Sequence, residues 1–219
     1  MPTPATVIFY FDPISPYAWL ASKAIPRLQA AGLQIEAQPV LFAGLLNAHG
    51  HKGPAEIPAK RDYTLRDVMR LAAMQDLPFV APPGHPFNPL PALRMCCALP
   101  AGEARNRFAC AVMAATWEQG WDISQADILV KIAETEGFDG QSLLAQIAQP
   151  EIKQSLLATT NAAIAKGVFG VPSFIYDGEL FWGADRIAAL LWQHSGKHID
   201  EARLQEFLQR APLAQRKQS

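Results

Sequence analysis

The strand-forming residues of this chain lie at its two ends, so they can share one sheet only if the stretch between them is carried as an insertion. Thr6-Val7-Ile8-Phe9-Tyr10-Phe11 is a β-branched and aromatic run closed by Asp12-Pro13, and it reads as a buried strand. Ser15-Pro16 then offers a helix start: the serine hydroxyl can cap an orphan N–H, and proline at the first helical position has none to satisfy. Apolar Trp19, Leu20, Ala24 and Leu28 follow, with Pro26 expected to bend or shorten the helix. After Gly32, residues 33–40 alternate apolar and polar as a second strand does. Strand, helix and strand with short links make a βαβ unit with a right-handed crossover.

From about residue 58 to residue 166 the character changes to Ala-rich, helix-forming sequence. Helices are expected over 89–98, 101–119, 124–136, 140–148 and 151–166, with Ser124 capping the third and Asp127 at its third position. Residues 78–91 carry six prolines in fourteen positions and must form an ordered loop. Strands return with Pro172-Ser173-Phe174-Ile175-Tyr176, a tight turn at Asp177-Gly178, and Glu179-Leu180-Phe181-Trp182. Gly183-Ala184-Asp185-Arg186 then opens a helix bearing Ile187, Leu190, Leu191 and Trp192. The expectation is an α/β thioredoxin-like fold with a helical domain inserted between its βαβ and ββα halves. Residues 1–45 and 167–219 would form the discontinuous thioredoxin-like domain, and 46–166 the inserted all-helical one.

Composition narrows the function. A formal net charge of −1 over 219 residues, with no Lys/Arg-rich run, gives nothing to hold a phosphate backbone, so nucleic acid is not expected as a partner. No apolar run approaches the roughly 20 residues that span a bilayer. Met1 to Thr6 lacks the basic start and apolar stretch of a signal peptide, which places the chain in the cytoplasm. Three cysteines, Cys96, Cys97 and Cys110, with no Cys-x-x-Cys, disfavour a disulfide framework, a redox pair and a cysteine zinc site. Cys97 and Cys110 read as small core residues.

Four places can carry chemistry. Ser15 is a helix cap on the plainest reading, yet the N-terminus of the first helix also stabilises an anion through free N–H groups and the helix dipole. At the spot where thioredoxin-like proteins place a reactive sulfur, Ser15 replaces the first cysteine and Ala18 the second, so thiol–disulfide exchange has nothing to run on. A hydroxyl there can still donate to a thiolate that belongs to a ligand. Val171-Pro172 is either a strand entered through proline or a cis bond that presents the Val171 backbone to an extended peptide. Ala184 and Asp185 are a helix start with a first-turn acid, or a seat for a zwitterionic amino-acid head. His49 and His51 make a weak metal site and read as surface residues, with Asn47, Lys52 and Lys60 nearby suiting an anion. Phe42 and Trp182 belong either to the core or to an apolar cleft.

Phe9 to Leu20, Phe169-Gly170-Val171-Pro172-Ser173-Phe174, Phe181-Trp182-Gly183-Ala184-Asp185-Arg186 and Pro54 to Arg61 together resemble the 2-hydroxychromene-2-carboxylate isomerases and the kappa-class glutathione transferases, in the DsbA-like branch of the thioredoxin superfamily. The resemblance spans roughly residues 6 to 195. It implies glutathione as cofactor: Ser15 would hydrogen-bond its sulfur, and Val171, beside a cis Pro172, would pair with its cysteinyl backbone. Ala184 and Asp185 would hold the γ-glutamyl end, and Lys60 the glycyl carboxylate. Where related sequences commonly carry Asn near the glycyl end this one has His51, whose imidazole can also donate. An isomerase would add the glutathione thiolate reversibly to a conjugated carbon of an aromatic pyruvate-type substrate; a transferase would conjugate an electrophile. A cation for the substrate carboxylate would come from Lys60, Arg61 or Arg186. The family also implies a homodimer with a small-molecule aromatic substrate. A non-catalytic thioredoxin-like binding module is the remaining alternative.

Overall fold

A computed structural model describes residues 5–214; the first four residues, on which part of the signal-peptide reading rests, and the last five lie outside it. The four strands β1 (Thr6–Phe11), β2 (Gln34–Pro39), β3 (Ser173–Tyr176) and β4 (Glu179–Trp182) form one sheet in the order β2-β1-β3-β4. β1 runs parallel to β2, with Phe9 opposite Ala37, and antiparallel to β3, with Phe9 opposite Phe174. β3 and β4 form the expected hairpin, in which Phe174 faces Phe181. Asp177 and Gly178 sit at φ 49° and 79°, the left-handed pair that such a two-residue turn demands.

β1 is apolar on both faces because both faces are covered. Val7, Phe9 and Phe11 point into a large core with Trp19, Phe108, Met113 and Phe174, the Phe9 and Phe174 rings stacked at 5.0 Å. Tyr10, on the other face, joins Val40, Leu45, Ala163 and Val168. The larger core runs without a break from the sheet into the helical segment through Ala92, Leu93, Met95 and Leu129.

The first helix divides where Pro26 falls. α1 (Pro16–Ser22) ends at Lys23, and α2 (Ile25–Ala30) restarts with Pro26 in its first turn. α3 (Phe42–Ala48), α4 (Pro58–Ala73), α5 (Leu90–Ala98), α6 (Glu103–Trp117), α7 (Ala126–Thr135), α8 (Gly140–Gln146) and α9 (Pro150–Ala165) then follow in chain order. A 3₁₀ turn at Ala184–Arg186, α10 (Ile187–His194) and α11 (Glu201–Leu208) complete the described chain. α3, α4 and α11 were not among the helices expected individually, although α4 lies in the stretch read as helix-forming.

The cap assigned to Ser124 is corrected. The helix starts two residues later, and Asp122 organises the turn before it, accepting from the Ser124 N–H at 3.1 Å, the Ser124 hydroxyl at 2.6 Å and the Gln125 amide at 2.9 Å. The carboxylate is the stronger acceptor, so it recruits the serine as a donor. Asp139 is the true cap of α8, accepting from the Ser142 N–H at 2.8 Å. α8 also packs closely on α7: a Cβ at Gly140 would stand 2.6 Å from the Val130 carbonyl oxygen. Gly140→Ala is expected to cost about 1–3 kcal/mol by overpacking, read as a lowered urea midpoint with an unchanged slope.

Candidate active site

Ser15 lies between β1 and α1, buried but bordering a cleft, in a loop held by several hydrogen bonds. Its hydroxyl oxygen accepts from the Ala18 N–H at 3.2 Å as the cap of α1, and its O–H donates to the Val171 carbonyl over a long 3.4 Å. A bond that long is easily exchanged for one to an anion. The Asp12 carboxylate takes the Ile14 N–H at 3.0 Å and the Phe42 N–H, the first of α3, at 2.9 Å. Trp117 Nε1 donates to the Pro13 carbonyl at 2.9 Å, and His85 meets the Ile14 carbonyl at 3.0 Å. Four elements therefore hold the loop that carries Ser15.

The Val171–Pro172 bond is cis. Among the described residues none accepts from the Val171 N–H, and the Val171 carbonyl has only the long bond from Ser15. A free N–H and a nearly free carbonyl beside a helix N-terminus fit an extended peptide whose thiol sits over Ser15. Gly170 permits the wall behind it: a Cβ there would meet Trp182 Nε1 at 2.8 Å. The Trp182 indole, 53% exposed, packs edge-on against Phe169 at 4.9 Å.

These residues line a cleft of about 1280 Å³. Ser15, His51, Lys60 and Val171 all border it, and Pro172 stands behind Val171. Phe42 and Trp182 line it too, which answers the choice between core and cleft. Ala184 and Asp185 do not line it. The Gly183 N–H bonds the Pro172 carbonyl at 2.9 Å, so their turn abuts the cis proline, but the Asp185 carboxylate faces Arg186 at 2.9 Å. An ammonium at Asp185 would share the carboxylate with that guanidinium. Of the three cations named for a substrate carboxylate, Lys60 and Arg61 border the cleft and Arg186 does not. Lys52 joins them. Lys60 and Arg61 occupy the first turn of α4, at the positive end of its dipole, where cations are disfavoured unless an anion is near. His49 is drawn away, its Nε2 donating to the Val168 carbonyl at 3.2 Å.

Three residues of the site have no role assigned from sequence. Asp12 is fully buried, and burial pushes its carboxyl up to about 7 against the downward pull of its two N–H donors. Tyr17 donates to Asp67 at 2.8 Å, tying α1 to α4. Burial, and then Asp67, push its phenol above the usual range. His85 arrives from the proline-rich loop. No cysteine borders the cleft, and burial pushes all three thiols up, Cys110 to about 11. A second hollow of about 880 Å³ contains Lys23 and Arg107, but both are paired, with Glu118 and Glu136 respectively.

The model of the DSBA-like thioredoxin domain matches residues 6–193. The chain belongs to the DsbA-like thioredoxin family. Within it, the chain is 30% identical over 187 residues to the 2-hydroxychromene-2-carboxylate isomerase of Sphingobium xenophagum, covering 83% of this chain and 94% of the relative. It is 29% identical over 204 residues to human glutathione S-transferase kappa 1, covering 86% and 90%. A solved 2-hydroxychromene-2-carboxylate isomerase superposes with a TM-score of 0.81 at 25% identity, over 94% of this chain and all of the other. This DsbA-like protein thus stands among isomerases and glutathione transferases, with the thioredoxin-like α/β fold that its strand order implied. Among its described residues no helix is long and apolar enough to cross a membrane.

Proposed function

We propose that the protein is a cytoplasmic, homodimeric enzyme that interconverts 2-hydroxychromene-2-carboxylate and trans-o-hydroxybenzylidenepyruvate with glutathione as cofactor. The observation that carries the reading is the exchangeable Ser15 hydroxyl facing the open Val171 backbone beside a cis proline. Bound glutathione would supply the thiol that adds reversibly to a conjugated carbon and frees a carbon–carbon bond to rotate. A free thiol has a pKa of about 8.5, so most of it is protonated at neutral pH, and lowering it two units takes about 2.7 kcal/mol. The Ser15 hydroxyl and the N-terminus of α1 together are of that strength.

Val171 would pair with the cysteinyl backbone while Pro172 fixes its direction. Lys60, with His51 near, would take the glycyl carboxylate; Ala184 and Asp185 would meet the γ-glutamyl end. Phe42, Phe87 and Trp182 offer apolar surface to an aromatic ring. The cationic rim of Lys52, Lys60 and Arg61 favours an anionic substrate, and with it the isomerase, over a kappa-like transferase.

The deciding experiment mixes purified protein and glutathione with the chromene acid. Interconversion that stops when glutathione is withdrawn is expected. Conjugation of a generic aromatic halide without any isomerisation would assign the transferase instead.

A further inference from the structure

The proline-rich loop 78–91 does not simply cover the molecule. Its Val80 and Ala81 N–H groups bond the Trp117 carbonyl at 2.9 and 3.2 Å, and the loop then carries His85 to the cleft wall. The imidazole packs edge-on against Trp117, with ring centres 5.6 Å apart, and against Phe87 at 6.2 Å. Its Nε2 lies 3.0 Å from the carbonyl oxygen of Ile14, the residue before Ser15. A carbonyl only accepts, so Nε2 carries the proton and Nδ1 of the neutral ring is left with a lone pair. Among the described residues none donates to that nitrogen. Burial, with the Arg61 charge adding to it, lowers the imidazole pKa, which keeps the ring neutral at pH 7. One region of the cleft thus combines a guanidinium, which suits an anion, with a fixed acceptor, which suits an O–H.

We propose that His85 is the proton-carrying residue of the site, its Nδ1 accepting from a hydroxyl of the aromatic acid bound beside Arg61. The inference rests on the isomerase reading for its substrate class. In the ring-opening direction Nδ1 takes the proton of the hemiketal hydroxyl. The electron pair of that O–H forms the ketone double bond, and the ring carbon–oxygen bond breaks with its pair going to the phenolate oxygen. That oxygen then receives the proton from Nδ1, so nothing is oxidised and the imidazole ends neutral. The proton stays between two oxygens of one substrate.

The test uses two unreactive probes, 3-(2-hydroxyphenyl)propanoate and 3-phenylpropanoate, titrated calorimetrically into the full chain with glutathione present. The wild type should bind the hydroxylated acid about tenfold more tightly, the worth of one hydrogen bond in a cleft. His85→Gln keeps a donor for the Ile14 carbonyl and removes the Nδ1 acceptor. It should bring the ratio to about one, leave glutathione affinity unchanged and lower isomerase turnover by at least tenfold. The wild type gives an independent reading in case the variant folds badly: the nitrogen-15 resonance of His85 Nδ1 should move with the hydroxylated acid and not with the other.

The proposal is overturned by a wild-type ratio near one, by failure of both acids to bind, or by a ratio or turnover that survives His85→Gln. If the ratio behaves as expected but the wild type cannot interconvert the chromene acid, the isomerase reading falls and the acceptor role of His85 stands.

Discussion

Ser15→Ala is expected to reduce glutathione-dependent turnover at pH 7 on the order of tenfold while changing glutathione affinity by less than about fivefold. The asymmetry follows from what the hydroxyl touches. Its O–H now makes a 3.4 Å bond to Val171, so little is lost when it turns toward a sulfur anion. A hydrogen bond to a charged group contributes about 1.5–3 kcal/mol, which is roughly ten- to 150-fold in the ratio of thiolate to thiol, and at pH 7 about ten- to thirtyfold in the amount of thiolate because a free thiol is already about 3% ionised there. The tripeptide's other contacts, through Val171, Lys60 and the 184–185 turn, do not involve the hydroxyl. The fall therefore belongs in kcat and not in KM. Losing the cap of α1 also costs about 1 kcal/mol of stability, so turnover has to be compared well below the variant's melting temperature. Ultraviolet absorbance of bound glutathione against pH reads the same effect directly, the thiolate band moving to higher pH in the variant. Equal turnover by the two proteins would remove Ser15 from the chemistry, as the binding-module alternative requires.

Local patterns carried the frame of the molecule and lost its long-range fastenings. The β1, β3 and β4 runs, the Ser15-Pro16 start, the break at Pro26 and the Asp177-Gly178 turn are each written in a few adjacent residues, and each formed where it was expected. α3 had no such signal. It begins at Leu41 and Phe42, neither able to cap, because its free N–H groups are satisfied from afar. Thr160 accepts from Leu41 at 3.0 Å and Asp12 accepts from Phe42 at 2.9 Å, across 119 and 30 residues. Ser124 failed for the opposite reason: its neighbour Asp122 competed locally and won. The site divides along the same line. Ser15 and Val171-Pro172 sit in recognisable runs, and Lys52 stands in a loop that reads as suiting an anion, whereas the roles of Tyr17 and His85 emerge only when loops distant in sequence close over one cleft.

Asp12 is the fastening with the largest expected effect on stability, and its sign is opposite to that of an ordinary native carboxylate. It is fully buried without a counter-ion, and two N–H bonds do not offset the loss of water. Its pKa rises from 3.8 to about 7 on folding, so the folded state holds this proton more tightly than the unfolded chain does. Its stabilising contribution is complete below pH 4 and is lost as pH rises through 7. The full difference is about 4 kcal/mol, of which more than half falls between pH 5 and pH 8. Asp12→Asn has no proton to exchange in that window. Its amide can still accept one of the two N–H groups but sets an NH₂ against the other, so its absolute stability is a poor readout and the pH slope is the useful one. Unfolding free energies from urea titrations should therefore show the wild type losing about 2–3 kcal/mol relative to Asp12→Asn between pH 5 and pH 8. Parallel curves for the two proteins would mean that the carboxyl is solvated or paired in solution, and that the loop before Ser15 is held by Trp117 and His85 without it.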